Sequence, residues 1–174
     1  IVKPDTLWTL RHIAQCYRLQ GEFDNALGYY RMAEELAPEN ISLLLQTGES
    51  FATVKQYDEA LARFYKVEFL KPGARRATRA IAWCSFLSGK YEEALKYYLL
   101  LIQQPSPKAH DWMNTGHVYF VQHQLQEALF HYQKAHAMET NHTAFIEKFN
   151  KDKSVLLNLG LNKEDIQIML DLLL

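Results

Sequence analysis

The segments FDNAL (23–27), YDEAL (57–61), YEEAL (91–95) and LQEAL (125–129) follow one another at a single constant interval. A fixed period of this length restricts the chain to an array. One supersecondary unit recurs, and each copy buries its apolar face against the next. Extending the four anchors in both directions gives units 7–40, 41–74, 75–108 and 109–142. Within each, apolar residues recur at helical spacing on both sides of a turn. Leu10, Ile13, Ala14 and Tyr17 mark the first segment of unit one, and Ala26, Tyr30 and Ala33 its second. Unit two repeats the pattern with Leu44, Gly48 and Phe51, then Ala60, Phe64 and Val67. Unit four does so with Trp112, Gly116 and Tyr119, then Ala128, Tyr132 and Ala135. The expected fold is all-α, built from stacked helix–turn–helix pairs.

Small residues share one position of the first helix, as Ala14, Gly48, Ala82 and Gly116. A facing helix is expected to approach closely there. Gly21 and Gly89 are placed to close the first helix in a left-handed conformation. Asp24, Asp58, Glu59, Glu92, Glu93 and Glu127 fall in the opening turn of the second helix, where they complement its dipole. Pro38 and Pro72 close their units. Pro4 lies one full repeat interval before Pro38, so residues 1–6 read as the tail of an earlier repeat and the chain as a fragment. The alternative is a natural start with Pro at the first helical position.

Beyond residue 142, Phe145, Ile146 and Phe149 share one face of a capping helix. SVLLNLG (154–160) reads as a second short helix, and Asn162 with Glu164 and Asp165 as the start of a third. Residues 143–174 are thus expected to form a helical cap. The alternative is that their apolar face binds another molecule.

Composition narrows the chemistry. Lys and Arg number 19 against 20 Asp and Glu, which argues against nucleic acid as a partner; the run ARRATR (74–79) is the local exception. IQIMLDLLL (166–174) is too short to span a membrane and contains Asp171, so no membrane partner is expected. Cys16 and Cys84 lie two repeats apart and belong to no CxxC pair, which argues against a disulfide and against zinc. Both read as buried free thiols of a reducing, cytoplasmic setting. A phosphate loop ending at Gly89-Lys90 would need Gly five residues earlier, where Cys84 stands. Six histidines crowd into unit four, at 110, 117, 123, 131, 136 and 142, without an HExxH pattern. His110 and His117 are two helical turns apart, roughly 10 Å of rise, which is long for a single ion. No catalytic residue, metal site or cofactor is therefore assigned, and the chain is not read as an enzyme.

Helix–turn–helix units of this period, with small and aromatic residues at these positions, resemble the tetratricopeptide repeat family over residues 7–142. Unit three departs most, with Thr78, Ser85, Leu101 and Ser106 where a large apolar residue, an aromatic, a small residue and Pro are usual. The resemblance implies a right-handed α-solenoid whose first helices line a concave groove for a peptide or partner helix. Carried over position by position, the groove would present Trp8, Arg11, Gln15 and Arg18, then Gln46 and Glu49. It would continue with Arg76, Arg79, Trp83 and Phe86, then His110, Asn114, His117 and Phe120.

Four arginines against Glu49, interleaved with aromatics, would suit an acidic segment with apolar anchors. Equally, each Arg reads as a solvated helix face or an ion pair with Glu49, and Trp83 and Phe86 as packing between helices. Some relatives clamp a terminal carboxylate, and the matching positions here are Arg11, Gln15, Gln46, Arg76 and Ala80. None keeps the family residue, so that clamp is not expected. The function implied is a protein-binding scaffold or adaptor. The alternatives are a homo-oligomerisation module, or a regulatory appendage of an enzyme.

Overall fold

The computed structural model describes residues 4–173, and side chains from Thr6 onward. Among the described residues there are ten α-helices and no strand: α1 (Pro4–Leu19), α2 (Phe23–Leu36), α3 (Ile41–Thr53), α4 (Tyr57–Leu70), α5 (Arg75–Leu87), α6 (Tyr91–Gln103), α7 (Ala109–Val121), α8 (Leu125–Ala137), α9 (His142–Asn158) and α10 (Lys163–Asp171). The even-numbered helices α2, α4, α6 and α8 begin one repeat interval apart, as do α3, α5 and α7. The chain divides into two compact units, Ile1–Cys84 and Ser85–Leu174, with the division inside α5.

Local chemistry explains most boundaries. The side chains of Asn40, Asn141 and Asn162 each accept a hydrogen bond from the backbone N–H three residues on, at 3.0, 2.8 and 2.7 Å. Each thereby satisfies a donor that the helix itself leaves unpaired. Asp24, Asp58, Glu59, Glu92, Glu93 and Glu127 occupy the first turns of α2, α4, α6 and α8. The turn before each of these helices needs one left-handed residue. Gly21 (φ 80°) and Gly89 (φ 78°) supply it in two repeats, while Lys55 (φ 62°) and His123 (φ 59°) are forced into it in the other two.

In unit 1 the core gathers Ala14, Ala26, Tyr30, Ala33 and Leu43. At the small-residue position the facing helix makes its close approach through an aromatic ring. A Cβ added to Gly48 would lie 2.5 Å from the Phe64 ring, so the glycine is a seat for an aromatic of the following helix. In unit 2, Gly116 seats the ring of Tyr132 in the same way, at 2.7 Å.

Two expectations need correction, in α9 and at Cys16. α1 is already helical at Pro4, so residues 4–6 are continuous with the first helix of unit one, and Pro is accommodated at a first turn that needs no N–H. Residues 1–3 lie outside the described residues. α9 is one continuous helix, because no Gly or Pro between 142 and 158 interrupts its ladder; Ser154 does not start a second one. Cys16 is exposed, whereas Cys84 is buried and its thiol is pushed up to about 12 by that burial. The two share a repeat position, but Ser50, Cys84 and Val118 are buried there while α1 leaves Thr9, His12 and Cys16 uncovered.

Candidate functional site

Nine of the sequence-assigned groove residues belong to unit 1: Trp8, Arg11, Gln15, Arg18, Gln46, Glu49, Arg76, Arg79 and Trp83. Helical spacing brings five of them together. Arg11 and Gln15 are one turn apart on α1, Gln46 and Glu49 one turn apart on α3, and Arg76 lies in the first turn of α5. With His12 and Arg18 they line a cleft of about 240 Å³. The Arg11 guanidinium donates to Ser42 Oγ at 3.1 Å and to Gln46 Oε1 at 3.2 Å. Its Nε is buried and has no hydrogen-bond partner. Arg18 Nε donates to Gln15 Oε1 at 3.3 Å, and the same oxygen accepts from the Tyr30 hydroxyl at 3.3 Å. Burial pushes the Tyr30 phenol up, against the opposing pull of Arg18 and Arg11.

Charge is unevenly met in this cleft. Arg76 donates to Glu49 Oε1 through Nε at 2.9 Å and through its terminal nitrogen at 2.6 Å, so these two form the ion pair that the sequence allowed. Arg11 and Arg18 instead donate to the neutral side chains of Ser42, Gln46 and Gln15. Trp8, 63% exposed, stacks on His12 at 3.8 Å, and His12 Nδ1–H donates to the Trp8 carbonyl at 2.7 Å. Ala80 is not among the residues lining this cleft, and Arg79 and Trp83 are half-buried outside it. Tyr30 was not foreseen as a contributor, because a core aromatic on the second helix gives no sign that its hydroxyl reaches the groove.

The other five assigned residues, in unit 2, do not form a comparable surface. Phe86, His117 and Phe120 are fully buried, which removes them from a solvent-facing groove. His117 is covered by α9: its ring meets Phe149 edge-on at 5.2 Å, Nδ1 lies 2.8 Å from the Tyr132 hydroxyl and Nε2 3.4 Å from Asp152 Oδ2. Sequence alone could not show that the helix after the fourth repeat would cover this position. His110 stays exposed, with Nε2 3.2 Å from Asp111 Oδ1, and Asn114 is half-buried. Among the described residues no three His, Cys, Asp or Glu side chains are placed to hold a metal ion. None of the described helices is long and apolar enough to cross a membrane.

Two tetratricopeptide repeat family models match this chain, one over residues 9–41 and the other over residues 44–110, together more than half of it. The chain belongs to the tetratricopeptide repeat family. Solved structures of similar fold include a crystal structure of MamA protein, with a TM-score of 0.74 at 18% identity over 98% of this chain and 93% of that one. MamA 41-end from Desulfovibrio magneticus RS-1 gives a TM-score of 0.76 at 20% identity, over 98% and 97%. A further crystal structure of MamA gives 0.71 at 19% identity, over 92% of each chain. At such identities the likeness is one of fold. No curated protein sequence matches the chain. Tetratricopeptide repeats are protein-interaction modules, and membership places this chain in that broad class of role.

Proposed function

We propose that this tetratricopeptide repeat chain is a non-catalytic scaffold whose unit 1 cleft holds a carboxylate-bearing segment of a partner protein. The observation that carries the reading is the unequal pairing of its arginines. Glu49 neutralises Arg76, while Arg11 and Arg18 are held by neutral side chains and Arg11 keeps one buried N–H without a partner. A guanidinium fork held by amide oxygens is oriented without being neutralised, and a carboxylate is the acceptor that matches its geometry and charge. The Trp8–His12 stack supplies flat apolar surface beside it for an anchor residue.

The test is a fluorescence-anisotropy titration with a labelled Asp/Glu-rich peptide carrying one Leu and one Phe. Arg11→Glu and Arg18→Glu should each weaken binding about tenfold or more, and raised salt should weaken it further. Equal affinity of the parent chain and both variants would overturn the reading.

A second reading, self-association, is favoured by one observation. The face of α1 formed by Thr9, His12, Ile13, Cys16 and Gln20 borders an open recess of about 420 Å³, although the counterparts of Thr9, Ile13 and Cys16 in later repeats are buried. Sedimentation velocity of the parent chain and of Cys16→Glu decides it. A dimer lost in the variant supports self-association, and a monomer at all concentrations removes it.

A further inference from the structure

α10 is nine residues long and has two apolar stripes. Ile166, Met169 and Leu170 are buried and seat it on unit 2. Ile168 and Leu172, one turn apart, are 59% and 58% exposed. Leu125 at the start of α8 is 53% exposed. These side chains are not scattered. Ile168 and Met169 of α10, Leu172 at its C-terminal end, and Leu125 and Leu129 of α8 line one cleft of about 340 Å³, with Phe120 at its floor. Elsewhere the large exposed apolar residues, such as Phe69 at the end of α4, need no such explanation.

We propose that the α8–α10 cleft is a docking groove for a short amphipathic helix of a partner protein, with aliphatic anchors and basic flanking residues. Geometry argues for a helix. From Asp165 to Leu172 the cleft follows about 10 Å of helix axis, the reach of anchors spaced i, i+4 and i+7. A channel between two helices is also the natural seat for a third.

Charge argues for a basic partner. Glu164 lies on the same stripe as Ile168 and Leu172, and Asp165 lines the cleft. Lys163 precedes them on α10, and His123 also lines the cleft. Such a rim repels the carboxylate-rich segment suited to unit 1 and attracts Lys or Arg. The proposal does not depend on the arginine cleft, since the two sites lie in different units and present opposite charge.

The probe for the test is a fluorescein-labelled helical peptide of Leu and Lys, with a Leu/Glu peptide of the same pattern as its control. The Leu/Lys probe is expected to bind the whole chain about tenfold or more tightly than the control. It should also shift the methyl resonance of Met169 in the cleft floor. Ile168→Glu and Leu172→Glu alter exposed side chains and should keep the circular dichroism of the parent while losing the probe. Arg11→Glu in unit 1 should leave the Leu/Lys probe bound. Equal binding of both probes, or binding that survives Ile168→Glu and Leu172→Glu, would overturn the proposal. So would sedimentation showing a dimer of the parent chain that Ile168→Glu dissociates, because the groove would then be filled by a second copy.

Discussion

The cleft of unit 1 and the cleft of unit 2 are both bordered by helices of the repeat array, yet they offer opposite surfaces. Unit 1 presents Arg11, Arg18 and Arg76 with Gln15, Gln46 and one carboxylate, Glu49. Unit 2 presents Leu125, Leu129, Ile168 and Leu172 with Asp165 at the rim. The frame beneath them is the same. An aromatic of the second helix sits on a small residue of the first, Phe64 on Gly48 in one unit and Tyr132 on Gly116 in the other. The comparison teaches that buried positions keep the repeat's geometry within this chain, while exposed positions are free to set chemistry. α9 then converts what would be groove at His117 into core.

Removing the floor of one unit should break the comparison most strongly. Phe149→Ala deletes a fully buried ring that touches His117, Tyr132 and Phe145, and should cost about 3–5 kcal/mol in urea denaturation. Under native conditions it should release the Leu/Lys probe from unit 2 while the acidic peptide still binds unit 1. Loss of both would show that the two clefts are not separable.

The matched pair Gly48→Ala and Gly116→Ala tests the shared frame. Each new Cβ meets a buried ring at under 3 Å, so each should cost about 1–3 kcal/mol by thermal or chemical denaturation. A cost in only one unit would mean that the frames are not equivalent.

A smaller effect is expected in the turns. Gly89→Ala places a Cβ in open space but at φ 78°, so its cost of about 1–2 kcal/mol is conformational alone. His123→Gly should act in the opposite direction and by less, since relief of the left-handed strain is offset by glycine's larger folding entropy. Paired denaturation curves check both.

Mild acid should produce the smallest difference, and it should fall on unit 2. His131 is buried with Nδ1–H donating to the Glu127 carbonyl at 2.8 Å, and burial lowers its pKa. The stability of the neutral ring is complete above the unfolded value of about 6.5 and is lost as pH falls through the lower folded value. Melting curves at pH 7.5 and 5.5 should therefore differ less for His131→Gln than for the parent.

Much of this was legible in the residues. The constant repeat interval, the Gly turns and the acidic first turns placed α2, α4, α6 and α8, since helix period and turn chemistry are local properties. Spacing along a helix put Arg11 with Gln15 on one face of α1 and Gln46 with Glu49 on one face of α3, whereas the expectation that these faces and Arg76 share a groove came from the family resemblance. Less legible were features set by distant neighbours. Cys16 and Cys84 hold one repeat position and differ in burial, which is set by neighbouring helices and not by the residue itself. The left-handed Lys55 and His123 carry no glycine signal; the repeat's turn geometry imposes the conformation on them.

By itself the sequence determined an all-α tetratricopeptide array and the helix faces on which its arginines lie. Periodicity, capping and turn preference act within a few residues, so they are written along the chain. Only the tertiary structure decided that Glu49 neutralises Arg76 but not Arg11, that α9 covers His117, and that α10 spends one apolar stripe on unit 2 and leaves the other in a cleft. Those outcomes depend on which side chains from different helices reach one another, and that is fixed by packing rather than by any local rule.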